Sequence, residues 1–187
     1  MARLHLVRHG RAAAGWSVDP DPSLDDLGRN QAVEVAQGLQ TLGPLPIFSS
    51  PLARCQQTAI PLSALWSVNP IVEPLVAEIP SPEGIELADR VTWLRAAMAG
   101  TWSQLVASDG QRYGDYRTSV LGVLAVMPEE AVIFSHFIAI NVVIGEALGD
   151  DRIVVASLDN CSVTTVSVSN GVFTLEQMGK EADTLIR

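Results

Sequence analysis

A three-layer αβα sandwich around a mostly parallel sheet with an antiparallel edge strand is the fold this α/β sequence predicts, and three observations carry it. Strand-like apolar runs alternate with helix-length segments, the pattern of parallel α/β proteins. The strand-like runs 3–8, 45–49 and 131–135 each end at polar residues, Arg8-His9-Gly10, Ser49-Ser50 and Ser135-His136. Near the end, 162–168 and 172–175 flank Ser169-Asn170-Gly171, whose Asn-Gly pair suits a tight hairpin turn and so adds a strand running the other way.

The elements follow in order. Arg3 to Arg8 forms the first strand, and Leu24-Asp25-Asp26-Leu27-Gly28 opens a helix over 25–42 with Asp25 as its cap. After the strand 45–49, Ser50 suits an N-cap and Pro51 a first helical position, so a helix is expected over 51–66. A strand is expected over 70–77, then helical material near 84–106 and 113–127, the strand 131–135, and a helix over 137–148. That last helix is the most apolar stretch, interrupted by Asn141 and Glu146. It is too short for a bilayer, which needs about 20 residues, and reads as a buried helix. Ile79-Pro80-Ser81-Pro82 reads as a loop beside the site. A length of 187 residues suits a single domain over 1–187, with a variable helical segment at about 80–116.

Composition narrows the partners. A net charge of −9, with a sequence pI near 4.7, argues against a broad nucleic-acid surface and against attraction to an anionic membrane. Cys55 and Cys161 lack the spacing of a zinc or redox motif, so no metal is expected and a reducing compartment is the simplest reading. The N-terminus enters a strand with no secretory signature, which predicts a cytoplasmic protein.

Chemistry is expected where the strands end, because parallel sheets bind ligands outside their carboxyl edge. His9 and His136 both fall there. Arg54 falls in or beside the first turn of the second helix, where the helix dipole disfavours a cation by about 0.3–1 kcal/mol. An anion would reverse that penalty, and a phosphate held by Arg8, Arg54, His136 and the helix N-terminus fits. His5 lies inside the first strand and reads as structural.

These segments together resemble the histidine phosphatase superfamily, also called phosphoglycerate mutase-like. The resemblance rests on Arg8-His9-Gly10, on Ser49-Ser50-Pro51-Leu52-Ala53-Arg54 running on to Thr58-Ala59, and on Ser135-His136. Leu24 to Ala32 and Asn160-Cys161-Ser162 support it. It covers Arg3 to about Met178, and least well Glu83 to Ser119. It implies a phosphate transferred to His9 and held by Arg8, Arg54, His9 and His136, with no metal or cofactor. It also places an acid after the third strand, where Glu78 stands; Glu83 is the next candidate donor. His9, Glu78 and His136 are the expected catalytic residues, with Gly10 and Arg11 as further candidates.

Departures from the family pattern bear on substrate. Many members carry Ser or Thr two residues after the glycine and an Asn shortly beyond, but Ala12 and Ala13-Ala14-Gly15-Trp16 offer neither. Arg-His-Gly-x-Ala resembles a branch that includes small bacterial phosphohistidine phosphatases, which lack a clear equivalent of Glu78. Phe137 stands where a glycine usually follows the second histidine, and Arg11 adds a cation close to the site. The expected activity is metal-independent phosphomonoester hydrolysis through a phosphohistidine on His9. The alternatives are a phosphoglycerate mutase-type transferase and a phosphate-binding regulatory module with little catalysis. The substrate is expected to be a small phosphorylated metabolite or a phosphoprotein. It would be read by the 80–116 region, where Trp93, Trp102, Arg95 and Arg112, with Arg117 just beyond, either line a pocket or pack and solvate helices.

Overall fold

The computed structural model describes residues 1–15, 18–127 and 129–182. Trp16, in the stretch expected to lack hydrogen-bonding groups, lies outside the described residues. The chain runs β1 (Ala2–Arg8), α1 (Asp26–Leu39), β2 (Ile47–Ser49), α2 (Ala53–Trp66), β3 (Ile71–Val72), α3 (Arg90–Met98), α4 (Trp102–Asp109), α5 (Arg112–Ala125), β4 (Ala131–Ser135), α6 (Phe137–Leu148), β5 (Val163–Ser169) and β6 (Val172–Gln177). The strands form one sheet in the order β3-β2-β4-β1-β5-β6. Pairs β1·β4, β2·β4 and β2·β3 are parallel, and β5 runs antiparallel to both β1 and β6.

Strand periodicity explains the layers. Side chains alternate across a strand, so Leu4 and Leu6 of β1 join Ala131 and Ile133 of β4 on one face, packed against α5 and α6 through Val120, Leu124, Ile138 and Ile140. Val7, Val132, Phe134 and Ile47 face the other way, onto Ala36 and Leu39 of α1 and Cys55, Ala59 and Leu62 of α2. His5 is buried within the sheet, its ring bonded to Thr165 Oγ1 at 3.2 Å and Glu130 Oε1 at 2.9 Å, as its structural reading expects.

The register aligns Arg8 with Ser135 and Ser49 with Phe134, so β1, β2 and β4 finish together at one edge. The next residues in each case are His9, Ser50 and His136. Asp25 caps α1 through Gly28 N at 2.7 Å. Asn170 and Gly171 take φ of 51° and 77°, the positive pair that a two-residue hairpin turn demands.

Two expectations need correction. The strand over 70–77 shrinks to Ile71–Val72, because Pro70 and Pro74 lack N–H donors and the Glu73 carboxylate accepts from Leu75 N to start a 3-10 turn at Pro74–Val76. Ser50 is not the cap residue of α2, which begins after Leu52; its Oγ accepts from Leu52 N at 3.3 Å and lies 2.8 Å from His136 Nε2. The helical material expected near 84–106 is present, as a 3-10 turn (Leu87–Asp89), α3 and α4. Thr101 and Gln104 form a capping box that starts α4 afresh.

In α6, residues Phe137 to Gly145 are all buried. Asn141 does not weaken it: its amide donates to Phe137 O and Ala156 O and accepts from Val155 N and Ala156 N, tying the helix to the following loop. Among the described residues no helix is long and apolar enough to cross a membrane.

The turn after β1 packs backbone to backbone on α1. A Cβ on Gly28 would fall 2.1 Å from Arg11 O, and one on Gly10 would fall 2.6 Å from Gly28 O. Main chain cannot move aside as a side chain can, so Gly28→Ala should cost about 1–3 kcal/mol of stability, read as a lower urea midpoint at unchanged slope.

Candidate active site

His9 leaves the end of β1 with its backbone pinned from three sides. His9 N donates to Ser135 O at 3.0 Å, its carbonyl accepts from Asn160 Nδ2 at 2.9 Å, and the next nitrogen, Gly10 N, donates to Thr58 Oγ1 at 3.0 Å. Thr58 donates in turn to Arg54 O at 2.6 Å, which locks this turn to α2. The His9 ring sends Nδ1 to Gly10 O at 2.8 Å. A carbonyl can only accept, so Nδ1 carries the proton and Nε2 keeps its lone pair. Arg54 Nε donates to that Nε2 at 3.2 Å.

His136 caps the start of α6, its ring centroid 5.2 Å from that of His9 and inclined by 62°. Arg54 Nη2 lies 3.2 Å from its Nδ1. A guanidinium only donates, so Nδ1 is bare and Nε2–H donates to Ser50 Oγ at 2.8 Å. Cys55 fills the space beneath, with Sγ 3.3 Å from Nε2 and donating to Ser135 O at 3.3 Å. One arginine thus reaches both imidazoles.

Arg8 approaches from β1. Its Nη1 donates to Leu158 O, and its guanidinium carbon lies 4.9 Å from the centre of the Phe137 ring. Arg8 Nε and Arg54 Nη1 are buried donors with no hydrogen-bonding acceptor among the described residues. A buried donor without an acceptor is costly, and two on adjacent cations suit a tetrahedral oxyanion.

Burial dominates the titration of the site. His9 and His136 are held well below 6.5 by desolvation first, then by Arg54, with Arg8 adding to both, so both are neutral. Burial lowers Arg8 to about 10 despite Glu78 and Asp159, which favour its charge. Glu78 is half-buried, with its carboxyl turned inward to accept from Ile79 N at 3.0 Å and from Ile138 N, in the first turn of α6, at 3.2 Å. Desolvation raises its pKa above 4.5, outweighing those N–H groups, Arg54 and Arg8.

The structure therefore brings Arg8, His9, Arg54, Glu78 and His136 together. Gly10 supplies the close turn and the carbonyl that orients His9. Glu83 is instead exposed and lies 3.6 Å from Arg112. Arg11 ties its Nε to the Asp25 carboxylate at 2.5 Å, reinforcing the cap of α1. At the N-terminus of α2, where an anion is expected, Asp21 accepts from Ala53 N at 2.8 Å, and just before the helix Ser50 Oγ accepts from Leu52 N at 3.3 Å.

Asp21 escaped the sequence reading. It also stands 3.8 Å from Arg54 Nη1, but as a loop carboxylate 32 residues from its helix it carries no local signal. Asn160 and Thr58 were visible as motif members without a role. In the helical region Trp102 packs in the core, Trp93 donates to Asp109, Arg95 is exposed, Arg112 donates to Ser81 O, and Arg117 pairs with Glu146 and Asp151.

Residues 4–181 match the histidine phosphatase superfamily (branch 1). A probable phosphoglycerate mutase of Enterobacter sp. (strain 638) is 28% identical over 190 residues, covering 89% of this chain and 85% of that protein. A PE-PGRS family protein of Mycobacterium tuberculosis is 42% identical over 82 residues, which span 41% of this chain but 14% of that protein. A mycobacterial glucosyl-3-phosphoglycerate phosphatase in complex with VO3 shares the fold with a TM-score of 0.72 at 21% identity, over 94% of this chain and 98% of the other. A phosphoserine phosphatase of Entamoeba histolytica in complex with 3-phosphoglyceric acid does so with a TM-score of 0.70 at 21% identity, over 98% of each chain. The family match includes every element that carries the paired histidines and arginines, and on that ground this chain belongs to the histidine phosphatase superfamily.

Proposed function

We propose that this chain is a metal-independent phosphomonoester hydrolase that works through a phosphohistidine on His9. The observation that carries the reading is the unprotonated Nε2 of neutral His9, which accepts from Arg54, beside two buried guanidinium groups with N–H donors to spare. Arg8 and Arg54 hold the phosphoryl oxygens and supply the positive charge that a metal ion supplies elsewhere, with neutral His136 beside them. The His9 Nε2 lone pair forms a bond to phosphorus as the ester P–O bond breaks, and the proton of Glu78 passes to the departing oxygen. The Nδ1–H to Gly10 O bond then supports the positive ring. Water next attacks phosphorus and gives a proton to the Glu78 carboxylate while the N–P bond breaks, releasing inorganic phosphate and restoring neutral His9.

A small phosphorylated metabolite is the substrate class we favour, supported by fold neighbours named for glucosyl-3-phosphoglycerate and phosphoserine. Relatives named as probable phosphoglycerate mutases favour a second reading, transfer of the phosphoryl group back to substrate. Interconversion of phosphoglycerates that depends on a bisphosphorylated primer would select it. Phosphate binding without turnover would select the regulatory module.

Phosphate release from p-nitrophenyl phosphate should survive a chelator and fall by about 10³-fold or more in His9→Ala. Loss of activity with chelator, or retention in the variant, would sink the proposal. The pH profile has a worked sign. His9 is held below 6.5 and stays neutral as pH falls through that value, so kcat/KM should not drop there. Glu78 is raised above 4.5 and keeps its proton past that value, so kcat/KM for an alkyl phosphate should fall only as pH rises through the raised pKa, and Glu78→Gln should abolish that limb. Phe137→Ala removes a cation–π contact of about 0.5–2 kcal/mol from Arg8 and should weaken inhibition by inorganic phosphate about 2- to 30-fold.

A further inference from the structure

Glu78 lies on a segment that leaves the Pro74–Val76 turn and belongs to no strand or helix, yet the segment's backbone is held at two successive carbonyls. Ser135 Oγ donates to Val76 O at 2.7 Å, and Tyr116 Oη donates to Ala77 O at 3.0 Å. The first brace comes from the end of β4, one residue before His136. The second comes from α5, in the helical region most variable by resemblance. The Ala77 carbonyl belongs to the same peptide plane as Glu78 N, so the tyrosine bond fixes the rotation of the unit that carries the acid. The carboxyl at the other end is fixed by Ile79 N and Ile138 N. Two clamps on one residue leave it little freedom.

Tyr116 is itself well supported. Its ring lies 6.1 Å from that of Trp102, a core residue of α4. Burial, reinforced by the neighbouring Glu78 carboxylate, pushes its phenol well above 10, so it stays a hydrogen-bond donor throughout the working range.

We propose that Tyr116 is a positioning residue for the general acid, setting the peptide that presents the Glu78 carboxyl to the leaving-group oxygen. The proposal rests on the hydrolase reading with Glu78 as proton donor. It also makes α5 a part of the chemistry, since a rotation of that helix would be passed to Glu78 through one hydrogen bond. Displacement by about 1 Å can cost 10²-fold in rate.

Leaving-group dependence separates this role from a merely structural one. p-Nitrophenolate departs without a proton, whereas an alkoxide needs one. Tyr116→Phe should therefore lower kcat/KM for an alkyl phosphate about 10- to 100-fold and that for p-nitrophenyl phosphate less than about 3-fold. The ratio of the two rates in one preparation does not depend on how much protein is folded, so a partly unstable variant still gives an answer. Glu78→Gln should show the same selectivity, and adding Tyr116→Phe to it should cost the alkyl ester nothing further. Equal slowing of both esters by Tyr116→Phe, no slowing of either, or multiplied losses in the double variant would overturn the positioning role while leaving the acid reading intact. Equal slowing of both esters by Glu78→Gln would instead overturn the acid reading, and the positioning role with it.

Discussion

Two guanidinium groups buried beside two imidazoles set the terms for the whole molecule. Removing cations from water is expensive unless carboxylates or an anion answer them. Here burial depresses Arg8, keeps both histidines neutral and raises Glu78, so one desolvated environment sets the charge states of all the groups to which we assign the nucleophile, acid and anion-binding roles. Exposed on a surface, the same imidazoles would gain charge in mild acid and the carboxyl would ionise at its ordinary pKa. Their chemistry depends on being enclosed.

Enclosure in turn depends on strand register. Arg8 pairs with Ser135, and Ser49 with Phe134, so three parallel strands deliver Arg8-His9, Ser50 and His136 to one edge. The alternation that buries Leu4 and Leu6 on one face and Val7 on the other also decides how Arg8 and His9 emerge. A slip by one residue would exchange the two faces. Packing and chemistry are written in the same period of two, which is why the core and the site cannot be redesigned separately.

Legibility followed the range of the interactions. Strand ends, the Asp25 cap and the Asn170-Gly171 turn are local facts, and they stood in the sequence with their reasons. The shared pocket of Arg8, His9, Arg54 and His136 could be anticipated because parallel topology gathers strand ends. Asp21 at the start of α2 and Ser50 turning to His136 could not, since nothing in a loop states which distant helix or ring it will serve. Arg11 and Glu83 show the converse: both are charged and both neighbour a motif, but each found a surface partner. The expected strand over 70–77 failed because prolines override apolar composition when backbone donors are needed.

The turn that carries Leu158 and Asn160 reaches back to the start of the chain, accepting from Arg8 and donating to the His9 carbonyl across sequence separations of 150 and 151 residues. Neither the anion site nor the nucleophile is fully held until that turn has been made. At about 5–20 residues per second of synthesis, roughly 8–30 s separate the emergence of His9 from that of the residues that steady it. A nascent chain holds Arg8, Arg54, His9 and His136 for part of that time without the last supports, and chains broken off between residues 136 and 158 carry both histidine motifs without the finished site.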